Sequence, residues 1–235
     1  NKHIKFKAFL DYAKSIDADY IATGHYARVV HTEGKESVML RGVDNNKDQT
    51  YFLCQLNQNQ LNNSLFPIGE LTKPEVRQIA EELDLPVAHK KDSTGICFIG
   101  ERDFREFLKN YIPAKSGKMV DIVSKKVIGE HQGIMYYTIG QRKGLGIGGN
   151  GEPWFVVGKD YDKNILYIAQ GDSNKWLLSH GALITDVNWI SATKPEGEYD
   201  CTAKFRYRQK DNDVSLHFID ETTLYVTFKD RKSVV

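Results

Sequence analysis

The chain has 235 residues, 40% hydrophobic and 27% charged, with a formal net charge of +1. That is ordinary soluble composition, long enough for more than one core of roughly 100–150 residues. No apolar run approaches the ~18 residues of a helical membrane span and no secretory signal opens the chain; any affinity for nucleic acid must come from local patches.

The first segment reads as a helix, with Phe6, Phe9, Leu10 and Ala13 at the i, i+3, i+4, i+7 spacing of one buried face. The run Asp19-Tyr-Ile-Ala-Thr-Gly-His25 follows as a short strand broken at Gly24. A helix feeding a short buried strand is the grammar of a parallel α/β sheet, whose ligands collect at the carboxyl ends of strands. Thr23, Gly24 and His25 stand at that end. Two further strands are expected at Tyr26–Val30 and Val38–Val43, and Asp48 can cap a helix carrying Tyr51, Phe52 and Leu56. Thr72-Lys-Pro-Glu75 matches a capping box with Pro in the first turn, opening a helix whose face is Val76, Ile79, Ala80 and Leu83. A third helix carries Phe104, Phe107, Leu108 and Tyr111 and stops at Pro113. Beyond Ser116 the pattern changes to short alternating runs: Trp154–Val157, Ile165–Ala169, Ala182–Trp189, Cys201–Tyr207, Val214–Ile219 and Leu224–Phe228. Regular short strands broken by turn residues point to a β-sandwich or barrel.

Three cysteines, odd in number and widely spaced, do not make a disulfide framework, and without C-x-x-C or a tight Cys/His cluster no metal site is expected. A reducing, cytoplasmic setting follows. Cys201 shares a strand face with Ala203, Phe205 and Tyr207 and reads as core; Cys54, in a helical pattern with Leu53 and Leu56, reads as a buried small hydrophobe. Cys97 sits in "DSTGICFIGERDF" between Gly95 and Gly100, with Lys90, Lys91 and Arg102 near in sequence. Neighbouring cations favour a thiolate, so packing and reactive roles are evenly matched there.

Lys204, Arg206, Arg208 and Lys210 alternate along "KFRYRQK", a stripe that could follow a phosphate backbone or simply face solvent. "YYTIGQRKGLGIGG" joins Arg142 and Lys143 to five glycines; it lacks the P-loop order and reads equally as an RNA-touching connection or a structural turn.

Taken in order, "NKHIKFKAFLDYA", "ADYIATGHYAR", "LRGVDNNKDQTYFL", "LFPIGELTKPEVR", "KKDSTGICFIGERDFREFL", "GEHQGIMYYTIGQRKGLGIGG", "EPWFVVGKD" and "FRYRQ" resemble the bacterial tRNA-specific 2-thiouridylase family, MnmA type. The resemblance covers nearly the whole chain. It implies a fold of α/β plus β class: the C-terminal part of a PP-loop (adenine nucleotide alpha hydrolase-like) α/β domain over 1–66, a small helical central domain over 67–115 carrying the Cys97 loop, and a tRNA-contacting β-barrel over 116–235. In that family ATP adenylates the C2 oxygen of the wobble uridine of tRNA, and a cysteine persulfide replaces it with sulfur. The resemblance makes Cys97 the persulfide cysteine, Gly24 an ATP contact, and His25, Lys47, Asp48, Gln49, Arg206 and Tyr207 tRNA contacts. ATP with Mg2+ is the expected cofactor, with no tightly bound metal. The expected partners are tRNA and a sulfur-donating cysteine desulfurase or sulfur-relay protein, with no membrane and a monomeric state.

The family's PP-loop, its first catalytic cysteine and a final TPGQ-containing strand have no match here. The chain is therefore expected to be a fragment that does not run the full reaction by itself. Two alternatives stand beside the sulfurtransferase: a non-catalytic tRNA-binding fragment, and another PP-loop ligase or amidating enzyme in which Cys97 is structural.

Overall fold

The computed structural model describes residues 1–90, 107–108, 110–172, 174–191, 193–207 and 209–233. The Cys97 loop therefore lies outside the described residues, as does most of the expected third helix. The chain divides into two compact units, Asn1–Lys90 with Ala182–Thr227 and Lys91–Gly181 with Phe228–Val235.

In the first unit a π-helical turn, Ile4–Ala8, leads into α1, Phe9–Ser15. Phe6, Leu10 and Ala13 are buried as expected, but Phe9 is 50% exposed. The reason is the π turn, whose i→i−5 bonds such as Ala8 N–H to the His3 carbonyl put more residues in each turn. Position i+3 then falls off the buried face. Strand β1, Ile21–Ala22, pairs in parallel with β4, Ser64–Leu65, through Ile21 and Ser64. The parallel grammar read from the sequence is realised. Between them, β2 (Ala27–Val30) and β3 (Val38–Arg41) form an antiparallel hairpin.

The helix expected after Asp48 is instead a single 3-10 turn, Thr50–Leu53. Three residues per turn put Leu53 and Leu56 on one face, and both are fully buried. Cys54, expected to be buried with them, is exposed. A helix the periodicity missed, α2 (Gln58–Asn62), opens on a capping box: Asn57 Oδ1 accepts from Gln60 N–H at 3.0 Å, and Gln60 Oε1 accepts from Asn57 N–H at 3.2 Å. Its Leu61 joins Phe6, Leu10, Ala13, Ile21, Ala27, Leu53, Leu56 and Phe66 in one core, with Ile190 packed against it.

Helix α3, Lys73–Glu82, starts where predicted. The Thr72 N–H and hydroxyl both donate to Glu75 Oε2, at 2.6 and 2.7 Å, and Lys73 N–H donates to Asp44 Oδ2 at 3.0 Å. A carboxylate at the first turn meets the positive end of the helix dipole. Its expected buried face is open, however, with Ile79 40% and Leu83 64% exposed.

Beyond residue 116 the strands fall into two four-stranded sheets. One, in the second unit, has β5 (Gly117–Asp121), β6 (Val127–His131), β7 (Trp154–Asp160) and β8 (Ile165–Gln170) in the order β6-β5-β8-β7, with β5 parallel to β8. Its core is Met119, Ile134, Tyr137, Leu145, Val156, Leu166 and Ile168. The other sheet runs β10-β11-β12-β9, from β9 (Leu178–Ile184), β10 (Glu198–Ala203), β11 (Asn212–Phe218) and β12 (Leu224–Ser233). The fold is α/β followed by β, as the sequence implied.

Candidate nucleic-acid interface

At the carboxyl end of β1, Thr23 N–H donates to the Leu65 carbonyl and extends the parallel ladder by one bond. Thr23 Oγ1 then lies 2.8 Å from His25 Nδ1. The His25 ring packs beside Phe6 and edge-on to Phe66, with centroids 5.7 and 6.2 Å away, and is buried. Burial, then the Lys5 charge, push its pKa down from 6.5 to about 4. At neutral pH this imidazole is uncharged, an aromatic strut with one hydroxyl partner.

Gly24 beside it is exposed, and a Cβ added there would meet no atom within 4 Å. Its φ is not left-handed, so neither packing nor backbone conformation requires glycine. That open space fits the approach of a ligand such as a nucleotide. Gly69 is the contrast, since a Cβ there would collide with the Ala27 carbonyl oxygen.

The 47–49 loop is tied to this corner. Gln49 exchanges two bonds with Tyr26: Gln49 N–H donates to the Tyr26 carbonyl at 2.9 Å, and Gln49 Oε1 accepts from Tyr26 N–H at 3.0 Å. Asp48 is buried and accepts from Gly42 N–H at 3.0 Å and from the Thr50 hydroxyl at 2.9 Å. Lys47 is half-buried in the same loop.

The basic stripe does not lie on a strand. Strand β10 ends at Ala203, because Gln209 Oε1 takes the N–H groups of Phe205 and Arg206 at 2.9 and 3.2 Å and folds 204–209 into a turn. Alternation of outward cations stops there, and Arg208 lies outside the described residues. On a regular strand Arg206 and Tyr207 would face opposite sides; on this turn strand parity no longer applies to them. Tyr207 packs on Phe52 with centroids 4.6 Å apart and on Tyr51 at 6.1 Å, and the Tyr51 hydroxyl donates to the Phe205 carbonyl at 3.3 Å. Arg41 holds Asp211 through two bonds of 2.8 and 2.9 Å, and Lys204 Nζ lies 4.0 Å from the same carboxylate. The bond to Arg41 lowers the Asp211 pKa and raises that of Arg41. Both stay ionised at neutral pH.

These pieces enclose a cavity of about 280 Å³ whose lining includes Arg41, Asn45, Asp48, Thr50, Tyr51, Lys204 and Tyr207. Of the residues the resemblance makes tRNA contacts, Asp48 and Tyr207 meet there, and Lys204 and Cys54 line it too. Gly24 and His25 stand at the β1 corner, joined to the loop through Tyr26 and Gln49. Sequence reasoning missed Arg41, Asp211 and Asn188; the last donates to the Cys54 and Leu56 carbonyls at 2.9 Å. No local signal marks them, since Arg41 and Asp211 are 170 positions apart.

Cys201 is half-buried, and burial and then Asp200 push its thiol pKa up. That suits a packing role. In the second unit the glycine-rich run has positive φ at Gly140, Gly144, Gly146, Gly149 and Gly151, while Leu145 is buried in the core. Those positive φ values are what a tight glycine turn requires. Among the described residues no group of three His, Cys, Asp or Glu could hold a metal ion, and no helix is long and apolar enough to cross a membrane.

Three family models match the chain one after another. The family model "tRNA methyl transferase HUP domain" matches residues 1–101, "tRNA methyl transferase PRC-barrel domain" 105–170, and "Aminomethyltransferase beta-barrel domain" 179–235. The tRNA-specific 2-thiouridylase MnmA of Bacillus cytotoxicus is 59% identical over 226 residues, covering 96% of this chain and 60% of that protein. Those of Bacillus cereus and Bacillus anthracis are 58% identical over the same length. The chain belongs to the tRNA-specific 2-thiouridylase family. It spans 60% of the length of these 2-thiouridylases. The HUP and β-barrel matches on this chain hold the residues that line the cavity, which fall within 39–54 and 190–207. The PRC-barrel match holds the sheet β6-β5-β8-β7 and its glycine-rich connection.

Proposed function

We propose that the protein carrying this chain is an ATP-dependent sulfurtransferase that replaces the C2 oxygen of the wobble uridine of tRNA with sulfur. The carrying observation is that Asp48 and Tyr207, far apart in sequence, line one aromatic-walled cavity in a chain whose relatives are named for tRNA 2-thiolation. The family models bear a methyl transferase description; the sulfur chemistry of this reading follows the relatives.

ATP would supply the adenylyl group that turns the uridine oxygen into a leaving group, with Mg2+ on its phosphates. The chain's own part is positioning. Gly24 leaves room for the nucleotide, and neutral His25 holds the β1 corner without adding charge. Lys47, Asp48 and Gln49 form the loop facing the target strand, and Arg206 and Tyr207 the turn that holds tRNA. Cys97 carries the persulfide, loaded by a cysteine desulfurase or sulfur-relay protein. Its outer sulfur attacks C2 as the oxygen departs with AMP. The thiol of the family's first catalytic cysteine then attacks the Cys97 sulfur, breaking the S–S bond to leave 2-thiouridine and a disulfide between the two cysteines. The reading places the enzyme in the cytoplasm as a monomer.

The test is thiolation of tRNA by the full-length protein with ATP and a sulfur donor, read as 2-thiouridine by mass spectrometry of digested nucleosides. Cys97→Ser abolishes the product and the protein persulfide, and Cys201→Ser retains both. Robust thiolation by Cys97→Ser overturns the assignment. Binding of tRNA without thiolation by the unaltered protein would leave a binding module.

A further inference from the structure

We propose that Lys5 binds a phosphate group of the nucleotide held over Gly24, as a positioning residue that brings a positive charge to the β1 corner. This rests on the ATP reading above and deepens it. Gly24 leaves open space at the carboxyl end of a parallel strand, where α/β sheets collect their ligands. The side chain next to it brings no charge, because His25 is buried and neutral at pH 7. Positive charge for a nucleotide polyanion has to come from a neighbouring element.

The π turn Ile4–Ala8 is that element. Its i→i−5 bonds, Phe6 N–H to the Asn1 carbonyl at 3.1 Å and Ala8 N–H to the His3 carbonyl at 3.2 Å, widen the helix, a device that recurs at functional sites. Phe6 packs beside His25 with ring centroids 5.7 Å apart, and Lys5 stands next to Phe6 on the same turn. Lys2 and Lys7 are exposed, and Lys2 Nζ donates to Gln55 Oε1 at 3.3 Å. Lys5 differs from both in being half-buried. Its charge is felt at the imidazole, where it is the leading cause of the lowered pKa after burial. Charges more than about 10 Å apart in solvent are largely screened, so the ammonium stands close to the ring and to Gly24, the residue bonded to it.

The experiment titrates ATP with Mg2+ into the full-length protein by calorimetry, for the wild type, Lys5→Met and Lys5→Arg, with tRNA affinity measured in parallel by filter binding. Lys5→Met keeps the aliphatic stem and removes the charge, and should weaken ATP about tenfold. Lys5→Arg keeps the charge and should retain most of the affinity, which a merely structural role would not reproduce. Should Lys5→Met fail to fold, Lys5→Gln carries the same comparison. Unchanged ATP affinity in Lys5→Met, or equal losses in Lys5→Met and Lys5→Arg, overturns the inference while ATP binding itself stands. A loss confined to tRNA affinity assigns Lys5 to an RNA phosphate and overturns it too. No binding of ATP by the wild type removes the nucleotide reading as well.

Discussion

His25 shows how far a side chain's chemistry depends on what surrounds it. Its pKa is about 4 in the fold against 6.5 for an unperturbed histidine, with burial the leading cause. Because the folded value is the lower one, the unfolded chain takes up the proton first. Stability is therefore full above pH ~6.5 and falls as pH drops toward ~4, by at most about 3 kcal/mol. Urea midpoints of the wild type and His25→Gln, compared at pH 7 and pH 4.5, should differ in slope, with the variant flatter. Equal pH dependence in the two proteins would remove His25 as a cause. The sequence placed His25 correctly at a strand's carboxyl end but could not show Phe6 and Phe66 closing over it. Those two rings bury the imidazole and favour its neutral form. Cys54 went the other way: a helical period implied burial, and the 3-10 turn of Thr50–Leu53 left it exposed.

At the level of elements, the signals that are local in space were legible. Capping at Thr72 and Glu75 and the β2–β3 hairpin both involve neighbours in the chain. The end of β10 was not legible, because one side chain, Gln209, terminates the ladder by taking two amides. Two glycines make a paired test of element packing. Gly69 lets its turn approach β2, and Gly69→Ala should destabilise by more than about 2 kcal/mol, since backbone must shift. Gly24→Ala meets open space and should change stability by less than about 1 kcal/mol while weakening nucleotide binding. Thermal midpoints with isothermal titration of ATP into the full-length protein check both. If Gly24→Ala keeps full ATP affinity, that glycine is no nucleotide contact.

For the molecule as a whole, the cavity exists only because residues 41–54 and 188–211 come together. Asn188 binds carbonyls next to the 3-10 turn, Gln58 Nε2 donates to the Ile190 carbonyl at 2.9 Å, and Arg41 clamps Asp211. The Arg41–Asp211 pair is partly exposed, with 46% and 35% of the side chains accessible, so its contribution to stability is small. Its larger effect is on charge. Asp211→Asn removes the carboxylate that Arg41 and Lys204 share and makes the edge of the cavity more cationic. Binding of tRNA to that variant should fall more steeply with salt, by up to about one unit in the log–log slope. An unchanged slope would mean that the cavity faces no phosphate at any stage of binding.

The sequence by itself determined the family, the order of α/β then β segments, and the identity of most candidate residues. These follow from ordered motifs, hydrophobic period and turn chemistry, all of which are properties of short stretches. Tertiary structure decided what those residues are: His25 neutral, Cys54 exposed, Arg206 and Tyr207 on a turn instead of a strand, and Asp48 and Tyr207 in one cavity. The Tyr26–Gln49 and Arg41–Asp211 bonds join residues 23 and 170 positions apart, and no local pattern in the chain carries that distance.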